Sequence, residues 1–280
     1  MVREYILFQD EFHPAGAAVL NAENRAFRYG DGLFETMRMM KGVLAFPDEH
    51  ADRLQAGMKA LKMEGGTLLD GYFLKQKAAE LTKKNRHTNA RLRLSVFRDG
   101  DGLYTPATNR CGYLLQSWAV PHAQYEFNRK GLIVDVYDEL TKPAGPLANF
   151  KTANALLYVM AGIYRKTHQL DDAFILNQDG FLCESLSANV FVVYNKQLYT
   201  PALSEGCIAG VMRREVMRLA KVHDIPLVEA QINPEILNEA EEVFVTNAAS
   251  GISWVMGYGR KRYFNEMSRF LSQKLNEPLL

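Results

Sequence analysis

A change of apolar period along the chain limits the fold more than any other feature. After a turn-rich stretch at 24–32, apolar runs at 33–40 and, past Gly42, at 43–46 read as a glycine-punctuated pair of β-strands. From Pro47 the spacing becomes helical. Asp48 can cap a helix, Leu54, Met58, Leu61 and Met63 recur about a turn apart, and a second helix is expected at 68–84. Alternation returns at 91–97, 112–116 and 132–137. Strands, then helices, then strands predict the α+β class.

The chain becomes polar around 117–128, with Pro121 and few large aliphatic residues, which places a boundary there. The expected organisation is a small N-terminal domain at 1–120, a linker at 121–128 and a larger C-terminal domain at 129–280. In the latter the patterning predicts a helix at 152–168, hairpins at 173–183 and 189–199, a helix at 211–223, a strand at 243–245 and a final helix. No internal repeat or low-complexity tract occurs.

With 33 basic and 32 acidic residues, there is no global electrostatic reason to expect nucleic acid or an anionic membrane as partner. No segment reaches the roughly eighteen apolar residues of a membrane span, and the N-terminus lacks the pattern of a secretion signal, so the expectation is a cytoplasmic protein acting on a small molecule. Cys111, Cys183 and Cys207 are odd in number and scattered, which fits neither a disulfide framework nor a zinc site; no metal is expected.

Four features could carry chemistry. Lys151 stands between an apolar strand region and an apolar helix, an unusual setting for a residue that is seldom buried unless paired or chemically used; the plain alternative is a lysine snorkelling at a helix start. Glu184 interrupts the end of a hairpin strand at a small-residue turn. The glycine loop at 206–210 runs straight into a helix whose unpaired N–H groups and positive dipole end can hold a phosphate, although its spacing matches neither a P-loop nor a dinucleotide fingerprint. Thr246 and Asn247 lie in a second polar loop after an apolar strand, able to add a hydroxyl and further N–H groups.

Taken together, RAFRYGDGLFETMR (25–38), HADRL (50–54), KTAN (151–154), ESLSANVF (184–191) and GCIAGVMR (206–213) resemble the class IV aminotransferase family in order and nearly in spacing, over about 23–255. That resemblance implies a two-domain, fold-type IV pyridoxal-phosphate enzyme with a small N-terminal α/β domain and a larger, β-barrel-like C-terminal domain with flanking helices. It makes Lys151 the Schiff-base lysine and proton shuttle, and Glu184 the partner of the pyridine nitrogen. Arg53, Val211 and Met212 would hold the phosphate, with Thr246 and Asn247 at its second loop. His50 is read as a packing residue. A homodimer is implied by resemblance alone.

The family contains both lyases and transaminases. Met212 stands where many aminotransferases carry threonine, Thr-Ala-Asn follows Lys151 where branched-chain enzymes close the pocket with Asn-Tyr, and the strand at 91–98 lacks the histidine of a D-amino acid carboxylate trap. These departures favour 4-amino-4-deoxychorismate lyase, with an amino acid aminotransferase of branched-chain or D-amino acid type as the alternative. Arg91 and Arg93 alternate on one strand face and could grip a substrate carboxylate, or be solvated. Tyr29, Phe34 and Tyr104 could form an aromatic wall, or simply pack.

Overall fold

The computed structural model describes residues 4–277. The chain divides into two compact units, Met1–Ala123 with Phe150–Asn154, and Gln124–Asn149 with Ala155–Leu280. The segment Phe150–Asn154, within the stretch expected to form the C-terminal domain, thus belongs to the first unit. The expected helix at 152–168 begins only at Leu156, because residues 151–153 pair with a strand of the first unit instead of turning.

The first unit contains β1 (Tyr5–Phe8), β2 (Glu11–Pro14), α1 (Arg25–Tyr29), β3 (Gly32–Met40), β4 (Val43–Leu44), α2 (Pro47–Ala60), α3 (Gly71–Asn85), β5 (Ala90–Arg98) and β6 (Cys111–Ala119). Its six strands run in the order β2-β1-β6-β5-β3-β4, all neighbours antiparallel. The period-2 pattern gives the sheet two unlike faces. On one, Leu33, Met37, Leu92, Leu94, Val96 and Leu115 pack under Leu54 and Met58 of α2 and Leu74 and Leu81 of α3. On the other, in cross-strand register, stand Phe34, Ser95 and Leu114, then Thr36, Arg93 and Gln116, then Arg38, Arg91 and Trp118.

The second unit contains β7 (Leu132–Lys142), α4 (Leu156–Thr167), β8 (Asp172–Asn177), β9 (Leu182–Ser185), β10 (Asn189–Tyr194), β11 (Gln197–Pro201), α5 (Val211–Val222), β12 (Leu227–Ala230), β13 (Glu242–Asn247), β14 (Gly251–Tyr258), β15 (Lys261–Arg262) and α6 (Glu266–Asn276). Its nine-stranded sheet runs β12-β11-β10-β13-β14-β7-β8-β9, with β15 on β14. The sheet curls, because β9 at one end packs back against β10 and β11. Val134, Phe174, Val190, Val192, Val243, Val245 and Val255 fill its core. The long strand β14 and the extension of β13 to Asn247 were not anticipated, since polar residues at the β13–β14 turn mask their alternation. No helix among the described residues is long and apolar enough to cross a membrane.

One acid sits on the helix-covered face of the first sheet. Glu35 is 1% exposed, a position that costs several kcal/mol for an unmatched charge. Helix α2 matches it. His50 Nδ1 lies 2.7 Å from Glu35 Oε2, Arg53 Nε donates to Oε1 at 2.8 Å, and Arg53 Nη2 donates to Oε2. Burial pushes the Glu35 carboxyl up, but the Arg53 charge and the His50 hydrogen bond outweigh it and hold it at about 2, against an ordinary 4.5. A depressed carboxyl stabilises the fold above its unfolded value and loses that contribution as the pH falls through its folded value. Glu35 should therefore contribute roughly 3 kcal/mol at neutral pH, lost between about pH 4.5 and 2. In urea titrations, Glu35→Gln should destabilise the first unit by about 3–5 kcal/mol at pH 7 by stranding Arg53, and the gap from the parent should narrow below pH 4.5.

Candidate active site

In the first unit, Lys151 is held by its backbone. Phe34 N–H donates to Lys151 O at 2.9 Å and Ala153 N–H to Gly32 O at 2.8 Å, so 151–153 lies antiparallel beside the start of β3. Phe150 packs against the first unit's core, and Asn154 Nδ2 donates to Gly30 O at 3.2 Å. Because both flanks are pinned, the lysine stem leaves a rigid strand. Its Nζ lies 4.5 Å from the centroid of the Phe34 ring.

The same ring carries a second cation, the Arg93 guanidinium, at 3.7 Å. Arg91, next on that face, lies 4.7 Å over Trp118. Neither arginine has an ion pair or hydrogen bond among the described residues. Burial, and then the Arg91 charge, hold Arg93 below the ordinary arginine value, though it remains a cation. Two adjacent guanidinium groups with no acid between them present a surface for anionic groups.

Tyr29 and Tyr104 pair with ring centroids 5.6 Å apart over a cavity of about 290 Å³ that Arg25, Asp31, Arg98 and Asn154 also line. Asp31 holds that corner together, accepting Arg25 Nε and Arg98 Nε at 2.9 Å each. Among the described residues Tyr29 and Tyr104 form a ring pair, and no ring contact joins Phe34 to them. Arg53 is committed to Glu35 through two of its nitrogens, a partner the sequence reading did not foresee.

In the second unit, Glu184 on β9 is 3% exposed and accepts three hydrogen bonds. Lys142 Nζ and Tyr158 OH donate to its Oε1 at 2.5 and 2.6 Å, and Ile208 N–H donates to its Oε2 at 2.8 Å. Lys142 and Tyr158 were missed. The available signal was a lysine closing a long apolar strand just before Pro143, which needs an acid once buried. Burial, and then the Glu184 charge, push the Tyr158 phenol far above its ordinary value, so it is a fixed donor.

The glycine loop continues from Ile208 into α5. Gly210 is the N-cap and offers no side chain, and the N–H groups of the buried Val211 and Met212 have no acceptor among the described residues. Thr246 faces Asn189 across β13 and β10, and Asn189 Nδ2 donates to Ile208 O at 2.8 Å. Thr246 Oγ1 is buried without a hydrogen-bond partner among the described residues. An orphaned hydroxyl and orphaned N–H groups at a helix start fit the phosphate of the implied cofactor. Asn247 instead turns the chain, its Oδ1 accepting Ala249 and Ser250 N–H at 3.0 and 2.8 Å. No cluster of metal-ligating side chains occurs among the described residues. Replacing the unpaired hydroxyl, Thr246→Val should leave the apo-protein's stability equal or about 1 kcal/mol higher, while pyridoxal phosphate binding, followed by protein fluorescence, weakens about tenfold.

Comparison with known proteins places these features in a family. Residues 32–256 match the amino-transferase class IV family. The aminodeoxychorismate lyase of Vibrio harveyi is 26% identical over 237 residues, which is 84% of this chain and 85% of that protein. The branched-chain-amino-acid aminotransferase of Escherichia coli strain K12 is also 26% identical, over 261 residues, 89% of this chain and 83% of that one. Among solved structures, the branched-chain aminotransferase of Thermoproteus uzoniensis with norvaline superposes with a TM-score of 0.87 at 18% identity, covering 99% of this chain and 95% of that one. Equal identity to a lyase and to an aminotransferase separates neither activity, and the structural likeness speaks for the fold. The matched span takes in most of the chain, which therefore belongs to the amino-transferase class IV family.

Proposed function

We propose that the chain is a pyridoxal-phosphate-dependent enzyme and that its activity is that of 4-amino-4-deoxychorismate lyase, yielding 4-aminobenzoate and pyruvate for folate synthesis. Lys151 would join the cofactor and Glu184 would face its ring nitrogen. The first turn of α5 (Val211 and Met212), Thr246 and Arg53 would hold its phosphate, with Asn247 shaping the loop after Thr246. Pyridoxal phosphate, when bound, supplies the electron sink for charge released at the carbon bearing the substrate amine.

The observation that carries the lyase reading is the pair Arg91 and Arg93, without acid partners, on the sheet face that also holds Phe34. The lyase substrate has two carboxylates, one on the ring and one on the enolpyruvyl group, and two guanidinium groups at alternate strand positions can take one each. A branched-chain amino acid has one carboxylate and an apolar tail that such a surface serves poorly. In this reading Lys151 removes the proton from the amine-bearing carbon. The ring aromatises as its C–O bond to the enolpyruvyl group breaks with the electron pair leaving on oxygen, and the departing enolate takes up a proton on carbon to become pyruvate. Phe34 would keep the Lys151 amine aimed. The same arginines also suit a dicarboxylic amino acid, and the alternative is an amino acid aminotransferase of branched-chain or D-amino acid type.

A homodimer is part of this proposal. Helix α4 exposes Leu156 (71%), Val159 (54%) and Ile163 (54%) at helical spacing, an apolar stripe suited to a second copy of the chain. Ile163→Glu should shift the protein toward monomer in light scattering; unchanged dimer would remove α4 from the interface.

The primary test supplies 4-amino-4-deoxychorismate to the holo-protein and follows 4-aminobenzoate and pyruvate, with L- and D-amino acids plus 2-oxo acids run in parallel. Release without transamination supports the lyase, whereas transamination alone moves the chain to the alternative. Lys151→Ala should abolish turnover and the cofactor's visible absorbance. Arg93→Ala should raise KM about tenfold or more through loss of a charge-assisted hydrogen bond.

A further inference from the structure

Glu184 has more partners than binding a ring nitrogen demands, and they sit on three separate elements. Lys142 closes β7, Tyr158 lies in the first turn of α4, and Ile208 belongs to the glycine loop before α5. Lys142 reaches Glu184 across the intervening strand: it pairs with Asn177 of β8, while Glu184 pairs with Ile175. The β7–β8 register shifts between Tyr137 and Lys142, an irregularity that re-aims the strand end. Lys142 Nζ also lies 5.7 Å over the Tyr158 ring, so the two donors support each other as well as the carboxylate.

We propose that Lys142 and Tyr158 are positioning residues that keep Glu184 a proton-free carboxylate, so that a proton shared with a heteroaromatic nitrogen stays on the nitrogen. Three donors converge on two oxygens, and an ionised carboxylate, which only accepts, matches that set of partners best. The other titratable groups nearby leave Glu184 as the acceptor. Burial pushes the Cys183 thiol up, and pushes Cys207 to about 11, so both remain neutral. Glu205 is engaged by Asn177 Nδ2 at 2.9 Å and by Gln231 Nε2 at 3.3 Å. Lys142 makes its ion pair with Glu184, at 9% and 3% side-chain exposure. Lys142 Nζ, 2.5 Å from Glu184 Oε1 in a buried site, sets a full positive charge against the carboxylate. The ring nitrogen of a bound cofactor would then keep its charge, which is what makes the ring an electron sink.

This inference rests on the proposed pyridoxal phosphate site, and the test separates the two. The apo-protein is examined first, by infrared difference spectroscopy at neutral pH for the carbonyl band of a protonated carboxylic acid. Lys142→Met should show a band that disappears in the Lys142→Met, Glu184→Gln double variant, while the parent and Lys142→Arg show none. Next, the holo-protein is formed with cofactor labelled with ¹⁵N at the ring. Its nitrogen resonance should report a protonated ring in the parent and Lys142→Arg, and an unprotonated ring in Lys142→Met. Tyr158→Phe, which deletes only a hydroxyl, should lower kcat about ten- to hundredfold with KM changed less than twofold. It remains informative if Lys142→Met does not fold. Absence of the band together with a ring still protonated in Lys142→Met would overturn the role of Lys142, and an unchanged kcat in Tyr158→Phe would overturn that of Tyr158. Failure of the parent to bind pyridoxal phosphate would overturn the proposed function, while the infrared result would still decide whether Lys142 keeps Glu184 unprotonated.

Discussion

Two backbone hydrogen bonds, Phe34 N–H to Lys151 O and Ala153 N–H to Gly32 O, set up the chemistry of the first unit. They convert a loop entering a helix into a short added strand, and so fix on which face of the sheet the lysine emerges. Phe34 on that face is stacked with cations, whereas Leu33 and Glu35, one residue to either side, point under the helices. A slip of one residue in this pairing would send Lys151 toward the other face.

Two buried carboxylates, Glu35 in the first unit and Glu184 in the second, are the next organising elements. Each is met by a strong cation and a further donor: Arg53 and His50 for Glu35, Lys142 and Tyr158 for Glu184. The environments differ in purpose. Glu35 lies in the packed layer between sheet and helices, where its ion pair with Arg53 and hydrogen bond with His50 knit α2 to β3. Glu184 accepts Ile208 N–H from the loop that opens α5, and in the same unit the first N–H groups of α5 and the Thr246 hydroxyl are unpaired among the described residues. Unpaired donors at a helix start are costly to leave without water or ligand, which is why the second cluster reads as a binding site.

Much of this was legible in the sequence because it depends on local period and on ordered motifs. The alternation at 33–40 and 91–97 and the helical spacing after Pro47 describe β3, β5 and α2 without reference to anything distant. The helix at 211–223 appears as α5 over Val211–Val222 because its apolar spacing and glycine entry are local signals. The expected start of the helix at 152 failed for the opposite reason: residues 151–153 are drawn into an extended pairing by a strand more than a hundred positions earlier.

The sequence by itself determined the α+β class, the family, and the identity of Lys151, Glu184 and the α5 entry as the residues to watch, since each is carried by residue type and spacing along the chain. Tertiary structure alone decided their partners. That Glu35 takes Arg53, that Lys142 crosses β8 to reach Glu184, and that Arg91 and Arg93 stack on Trp118 and Phe34 without an acid between them all depend on strand register. Register is set by backbone pairing between segments far apart in the chain, and no local pattern records which side chains it brings within hydrogen-bond reach.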